Sequence, residues 1–113
     1  MATLPTDRPV TPLRQRMLDD MAMRRMGSRT QHDYVRHVRA FAGFLARSPD
    51  TATAEDVRQF QLHQREHGVG EGTINGSVSA LRFLFGVTLD RADLSRRLVL
   101  AHRPRKLPDV LSV

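Results

Sequence analysis

Apolar residues recur at spacings of three and four along most of this chain, which is the period of an amphipathic α-helix. The clearest case covers residues 28–45, and a second covers residues 73–85. Thr11 followed by Pro12 predicts an earlier helix that runs to about Met26, because a hydroxyl side chain caps a first turn and proline suits its first position. No segment alternates like a β-strand, so the pattern predicts an all-α fold.

Capping residues predict where the helices begin and end. Gly27 is expected to end the first helix in the C′ position, and Ser28 to cap the second helix with Gln31 completing a capping box. Thr53 is expected to cap a third helix that Gly68 closes.

Small residues distinguish the predicted fourth helix, for which Thr73 is the expected cap. Gly76, Ser77 and Ala80 would allow close approach of a neighbouring helix or of a DNA backbone. Residues 90–98 are predicted to form one more short helix. The result is a single helical domain over residues 12–100, with residues 1–11 as a flexible arm and residues 101–113 as a linker.

The charge of the chain indicates its class of partner. Its 113 residues carry a formal net charge of +6, and every basic side chain except Lys106 is an arginine. The planar guanidinium suits phosphates and guanine edges, so a small basic domain predicts a nucleic-acid partner. A genome rich in G and C would also favour arginine over lysine, and that explanation of the ratio stays open, although it does not account for where the arginines lie.

Composition also excludes several classes of protein. The chain has no cysteine, which excludes a disulfide framework and thiolate chemistry. The first residues lack the apolar stretch of a signal peptide, and no apolar run approaches the ~20 residues of a membrane span. We therefore expect a cytoplasmic protein with no membrane partner.

Three basic or polar surfaces favour DNA binding when they are taken together. One such face alone is explained by solubility, but three of them could contact successive phosphates. They comprise Arg29, His32, Arg36 and Arg39 on the second helix, Asn75, Ser79 and Arg82 on the fourth, and Arg96, Arg97, Arg103, Arg105 and Lys106 near the linker.

One motif points to different chemistry. Residues 63–67, His-Gln-Arg-Glu-His, match the H-x-x-E-H pattern of inverted zinc peptidases. A catalytic zinc needs a third protein ligand, and the acids after His67 lie on no clear second ligand helix. The pattern therefore favours a solvated helix end, and we expect no metal and no other cofactor. Tyr34, the only tyrosine, lies at the edge of an apolar face, which favours a packed ring over a nucleophile.

Residues from position 12 to about position 100 share an order and spacing with a known family. They are Thr30, Tyr34, Val38, Phe41 and Leu45, then 53–57 with Phe60, then Gly68, and finally 73–75 with 81–85. This set resembles the N-terminal core-binding domain of the tyrosine recombinases, the phage-integrase family. The resemblance implies a SAM-like, small orthogonal bundle of four to five helices.

The same resemblance implies a bacterial, DNA-associated protein that functions in site-specific DNA integration and recombination. In the family, the second and fourth helices face double-stranded DNA, and the first often contacts other protomers of the recombinase in a synaptic complex. The isolated domain is expected to be monomeric. Gly76 stands where a larger polar or basic residue is expected. Carried over by position, the DNA contacts are Arg29, Thr30, Arg36, Asn75, Ser79 and Arg82.

The family's catalytic arginines, lysine, histidines and tyrosine belong to a C-terminal domain. Residues 103–112 resemble the linker that leads into that domain, which is absent from this sequence. We therefore expect DNA binding without strand cleavage, so that this chain alone is not an enzyme although its parent is a tyrosine recombinase. Two alternatives stay open: a helical protein-interaction module with merely solubilising basic faces, and a small zinc hydrolase that uses His63 and His67.

Overall fold

The computed structural model describes residues 11–101 of the chain. This range contains five α-helices. A 3₁₀ turn, Pro49–Thr51, separates the second and third helices, and a π-helical turn, Leu84–Thr88, continues the fourth. No strand occurs in this range, and the predicted all-α class is confirmed. The helices are α1 (Pro12–Met23), α2 (Ser28–Leu45), α3 (Ala54–Glu66), α4 (Glu71–Phe83) and α5 (Ala92–Ser95).

The core lies around α2 and α4, which make the most extensive contact between elements. Phe41 of α2 is fully buried, and its ring meets Phe60 of α3 edge-to-face with centroids 5.0 Å apart. Phe85 of the π-helical turn packs on Phe41 in the same way at 5.8 Å. These aromatic contacts join three elements that are distant in sequence, and such pairs stabilise a core beyond the area they bury. None of the described helices is both long and apolar enough to cross a bilayer.

Two predicted helix starts are confirmed in atomic detail. The Thr11 hydroxyl accepts a hydrogen bond from the Arg14 backbone N–H at 3.1 Å. Thr53 accepts from the Asp56 N–H at 3.1 Å while the Asp56 carboxylate accepts from the Thr53 N–H at 2.9 Å, which completes a capping box. The Thr53 hydrogen bond is the main reason that the pKa of Asp56 is lowered. Gly68 closes α3 with φ +69°, as predicted.

The predicted junction between α1 and α2 is wrong. Arg25, rather than Gly27, takes the left-handed conformation (φ +57°). The N–H groups of Arg25 and Met26 bond back to the last turn of α1 in a Schellman motif, which half-buries Met26 against the core. Gly27 is instead the N-cap of α2, so Ser28 is its first residue and caps nothing. Gln31 makes no capping box, because its amide donates to the Met26 carbonyl.

The last two helices also begin and end at different residues from those expected. α4 begins at Glu71, with Gly70 as N-cap, so Thr73 lies inside the first turn rather than before it. This earlier start places the Glu71 carboxylate at the positive end of the helix dipole. Of the predicted helix over residues 90–98, only Ala92–Ser95 is helical. The predicted domain limits stay a prediction, since residues 1–10 and 102–113 lie outside the described range.

Gly76 of α4 lies against the side chain of His37 of α2. A Cβ atom at this position would lie 2.8 Å from Nε2 of His37, which is buried between the two helices. The Ser77 hydroxyl lies 3.2 Å from Nδ1 of His37 and accepts a hydrogen bond from the Gln64 amide at 3.1 Å. This buried polar network links α2, α3 and α4. The small residues of α4 therefore admit a neighbouring helix, which is one of the two predicted alternatives.

Replacing Gly76 by alanine tests this close approach. We expect Gly76→Ala to lower the free energy of unfolding by about 1–3 kcal/mol, because the added methyl group must displace the buried His37 ring. The higher helix propensity of alanine offsets about 1 kcal/mol of that loss. The matched control is Gly43→Ala in α2, where a Cβ meets nothing within 4 Å and should raise stability. Urea unfolding followed by circular dichroism measures the free energy of unfolding of both variants. An equal change in the two would contradict the close contact between Gly76 and His37.

The buried position of His37 predicts a pH dependence of stability. Burial, assisted by Arg36 and opposed by Asp33, lowers the pKa of His37 below its usual 6.5. The unfolded chain therefore binds this proton more tightly, so stability is complete above about pH 6.5 and falls as the pH drops through that value. Carboxylates such as Asp56 change the free energy of unfolding only at lower pH, where they become protonated. Between pH 7 and 5, His37→Gln should flatten the profile, and His32→Gln, at an exposed position, should not. Parallel slopes for all three proteins would refute the assignment.

Candidate nucleic-acid interface

One side of α2 presents a row of cations to solvent. Arg29, His32, Arg36 and Arg39 share this side because their spacings follow the helical period, and all four are exposed. The Arg36 guanidinium lies 3.6 Å from the Asp33 carboxylate, but both side chains are about half exposed and such surface pairs hold little energy. Thr30 is exposed in the first turn of the same helix. The α2 face predicted from the sequence is therefore open and strongly positive.

A second element adds a cation that the sequence pattern did not single out. Arg14 of α1 lies beside the α2 face, and its Nε atom is buried without a hydrogen-bond partner. A cleft of about 290 Å³ separates the two helices at this point. Only the packing of α1 on α2 brings Arg14 here, so its position in the sequence gives no direct signal. The residues around the cleft are Arg14, Leu18, Ser28, Gln31, His32, Val35, Arg36 and Arg39.

The N-terminus of α2 adds to the positive potential of this region. No side chain caps it, and no acidic residue lies in its first turn. The free N–H groups at the start of a helix carry a partial positive charge. In α2, which has 18 residues, no acid of the first turn offsets this charge. Ser28, the first residue of α2, lies in the wall of the cleft. The backbone and the arginine side chains thus contribute charge of the same sign.

The polar stripe of α4 is partly occupied by the chain itself. The Asn75 side-chain oxygen accepts a hydrogen bond from the Ala101 N–H at 2.7 Å, and Arg82 donates to the Leu98 carbonyl at 3.3 Å. Ser79, the third predicted residue, is exposed. Two predicted contact residues of α4 therefore hold residues 98–101. Their partners are backbone groups, which leave no sequence signature.

A side chain of α3 strengthens the attachment of the same segment. The Gln61 side-chain amide donates to the Val99 carbonyl at 2.9 Å, and the Val99 N–H donates back to the Gln61 side-chain oxygen Oε1 at 3.1 Å. Leu98 and Ala101 are buried on either side of this pair of bonds. Residues 98–101, which we call the strap, are thus fixed along α3 and α4 by three side chains.

The remaining predicted basic residues fall into two groups. Arg96 and Arg97 are exposed immediately after α5. The other three lie outside the described residues, and their role as DNA contacts stays a prediction: Arg103, Arg105 and Lys106.

The histidine motif of α3 lies on the surface. The rings of His63 and His67 are exposed with centroids 4.1 Å apart, and Nδ1 of His67 is 2.9 Å from the His63 carbonyl oxygen. Within residues 11–101, no group of three or more His, Cys, Asp or Glu side chains could hold a metal ion. Tyr34 packs edge-to-face on Phe83 at 5.9 Å, which confirms the packed ring. The described residues therefore give the zinc hydrolase alternative no third ligand.

Known proteins resemble this chain over most of its length. It is 39% identical over 105 residues to "Putative integrase/recombinase y4qK" of Sinorhizobium fredii, an alignment that covers 91% of this chain and 34% of that protein. It is 40% identical over 60 residues to "Putative integrase/recombinase y4eF" of the same organism, which covers 51% of this chain and 24% of that protein. No solved structure matches.

The chain spans about a third of the length of the first of these relatives. Residues 13–92 match the sequence model described as "Phage integrase, N-terminal SAM-like domain". The resemblance carried by the order and spacing of its residues is thereby confirmed. The chain belongs to the phage integrase family, and its helical bundle is the N-terminal SAM-like domain of that family.

Proposed function

We propose that this chain binds double-stranded DNA as the core-binding domain of a site-specific tyrosine recombinase, in DNA integration and recombination. The observation that carries the proposal is the exposed α2 face, which contains Arg29, His32, Arg36 and Arg39 and only one acid, Asp33. Family membership supports the recombinase role. In this proposal the domain holds the DNA and does not cut it.

The dimensions of α2 suit this role. Its 18 residues extend about 27 Å, and the stretch from Arg29 to Arg39 extends roughly 15 Å. B-DNA carries one charge per ~1.7 Å of its axis, so a row of cations of this length meets several phosphates. A single helix also fits a major groove of ~12 Å. Contacts to phosphates would fix the register of the helix, and side chains at its centre would reach base edges.

The second contact surface in this proposal is α4 with the chain that follows it. Ser79 is free to meet DNA, whereas Asn75 and Arg82 do so only through groups that the strap leaves available. Arg103, Arg105 and Lys106 would extend this surface. We further propose that the domain is monomeric alone, meets other protomers in a synaptic complex, and acts on DNA in the cytoplasm.

A salt series on a fluorescently labelled duplex tests DNA binding. About five phosphate contacts should reduce the affinity by about 10²–10³ over a fourfold rise in salt concentration, because each contact releases a counterion. Fluorescence anisotropy measures the dissociation constant at each salt concentration. A dissociation constant that hardly changes with salt concentration, or no binding at low salt, would contradict the proposal and favour a protein-interaction module.

Charge variants locate the DNA contact on α2. The double variant Arg36→Gln/Arg39→Gln should reduce the slope of log affinity against log salt by about 2, since two phosphate contacts are lost. The control is Arg65→Gln, which removes the same charge from an exposed position on α3 and should leave the slope unchanged. If the control weakens binding as much per charge as the α2 variant, attraction to net charge explains the binding and the α2 face is not the contact.

A further inference from the structure

Arg14, which lines the cleft between α1 and α2, is partly exposed, and one atom of its guanidinium is buried without a partner. Nε of the Arg14 guanidinium is buried, and no hydrogen-bond acceptor lies within reach among the described residues. Buried donors are almost always paired, and an unpaired one that belongs to a charged group is costly. The side chain as a whole stays partly exposed, so an oxygen acceptor that entered the cleft could reach it.

The rest of the cleft is built for an anion. No carboxylate lies in its wall, while Arg36 and Arg39 contribute two more guanidinium groups and His32 an imidazole. Its volume of about 290 Å³ admits a phosphate group together with water. Forked guanidinium groups bind phosphate oxygens at two points, and several of them around one cleft favour a ligand with several oxygens.

The position of Arg14 is fixed by its surroundings. Its neighbours Leu13 and Met17 pack into the core, and on its other side Arg14 lines an apolar groove with Pro12 and Leu84. Aliphatic contact of this kind holds an arginine stem while its charged end remains available. Ser28, the first residue of the uncapped helix α2, lines the same cleft, and the positive end of the helix dipole favours the same sign of ligand.

We infer that this cleft is a phosphate-binding site and that Arg14 is its contact from α1. The inference rests on the proposed function as far as the source of the phosphate is concerned. Arg36 and Arg39 belong both to the cleft and to the proposed DNA face, so a backbone phosphodiester of the bound duplex is the ligand assigned. Inorganic phosphate shares the chemistry and serves as a separate probe. The site makes α1 part of the DNA contact, a surface that the order of residues did not indicate.

Two variants of α1 test the site on the full chain. Arg14→Gln should reduce the salt slope of duplex binding by about 1 and weaken affinity several-fold, because one phosphate contact is lost. Arg16→Gln removes the same charge two residues away, at an exposed position outside the cleft, and should leave the slope unchanged. Arg14→Lys should keep the slope, since the charge remains, but bind less tightly because the guanidinium fork is lost. Equal slopes for wild type and Arg14→Gln would overturn the DNA assignment.

Inorganic phosphate tests the cleft independently of DNA. At constant ionic strength, phosphate in place of chloride should raise the melting temperature of the wild type and of Arg16→Gln but not of Arg14→Gln. If Arg14→Gln loses this shift but binds the duplex with an unchanged salt slope, the cleft is a site for free phosphate and the assignment to DNA is overturned. If the wild type binds no duplex but keeps the phosphate shift, the proposed function fails and the site stands. An identical shift in Arg14→Gln would overturn the site.

Urea unfolding distinguishes loss of contact from loss of fold. Because Nε of Arg14 has no partner, Arg14→Gln should unfold at no lower urea concentration than the wild type. A variant that is destabilised and binds DNA with an unchanged salt slope would mean that Arg14 is structural, which contradicts the inference.

Discussion

The separation of α2 and α4 is the constraint on which the rest of the structure depends. Gly76 has no Cβ, so the buried His37 ring fits between the two helices and reaches Ser77, which in turn bonds to Gln64 of α3. Three helices are thereby fixed around one polar network. One side of α2 packs against this polar network and the aromatic core, and its opposite side faces solvent. The exposed row of arginines is thus a direct consequence of the packing.

Most of the helices and the α2 face follow from local rules that can be read in the sequence. The helical period, the hydroxyl caps at Thr11 and Thr53 and the glycine at position 68 depend on neighbouring residues alone, and these predictions were confirmed. The caps expected at Ser28 and Thr73 were wrong, because each of these residues lies inside its helix. The junction at Arg25 was wrong for a tertiary reason. Glycine is the residue that prefers a positive φ, which favoured Gly27, but burial of Met26 against the core fixes the turn two residues earlier. That burial depends on helices far away in the chain.

The candidate site shows the same division between local and long-range information. Arg36 and Arg39 could be predicted because a cation opposite an apolar stripe is a property of one helix. Arg14 could not, since α1 alone presents it as an ordinary surface arginine and only the packing of α1 on α2 places it beside Arg36 and Arg39. The partners of Asn75 and Arg82 are backbone groups 26 and 16 residues away, which no pattern of side chains encodes.

The strap has a consequence for how DNA sequence could be read. Asparagine recognises adenine through two simultaneous hydrogen bonds, one accepted by its oxygen and one donated by its nitrogen. The oxygen of Asn75 already accepts the Ala101 N–H at 2.7 Å. A base that engaged both ends of this amide would have to use the second lone pair of that oxygen. Specific readout by α4 would therefore be restricted to bases that suit an Asn75 amide whose orientation the strap already fixes.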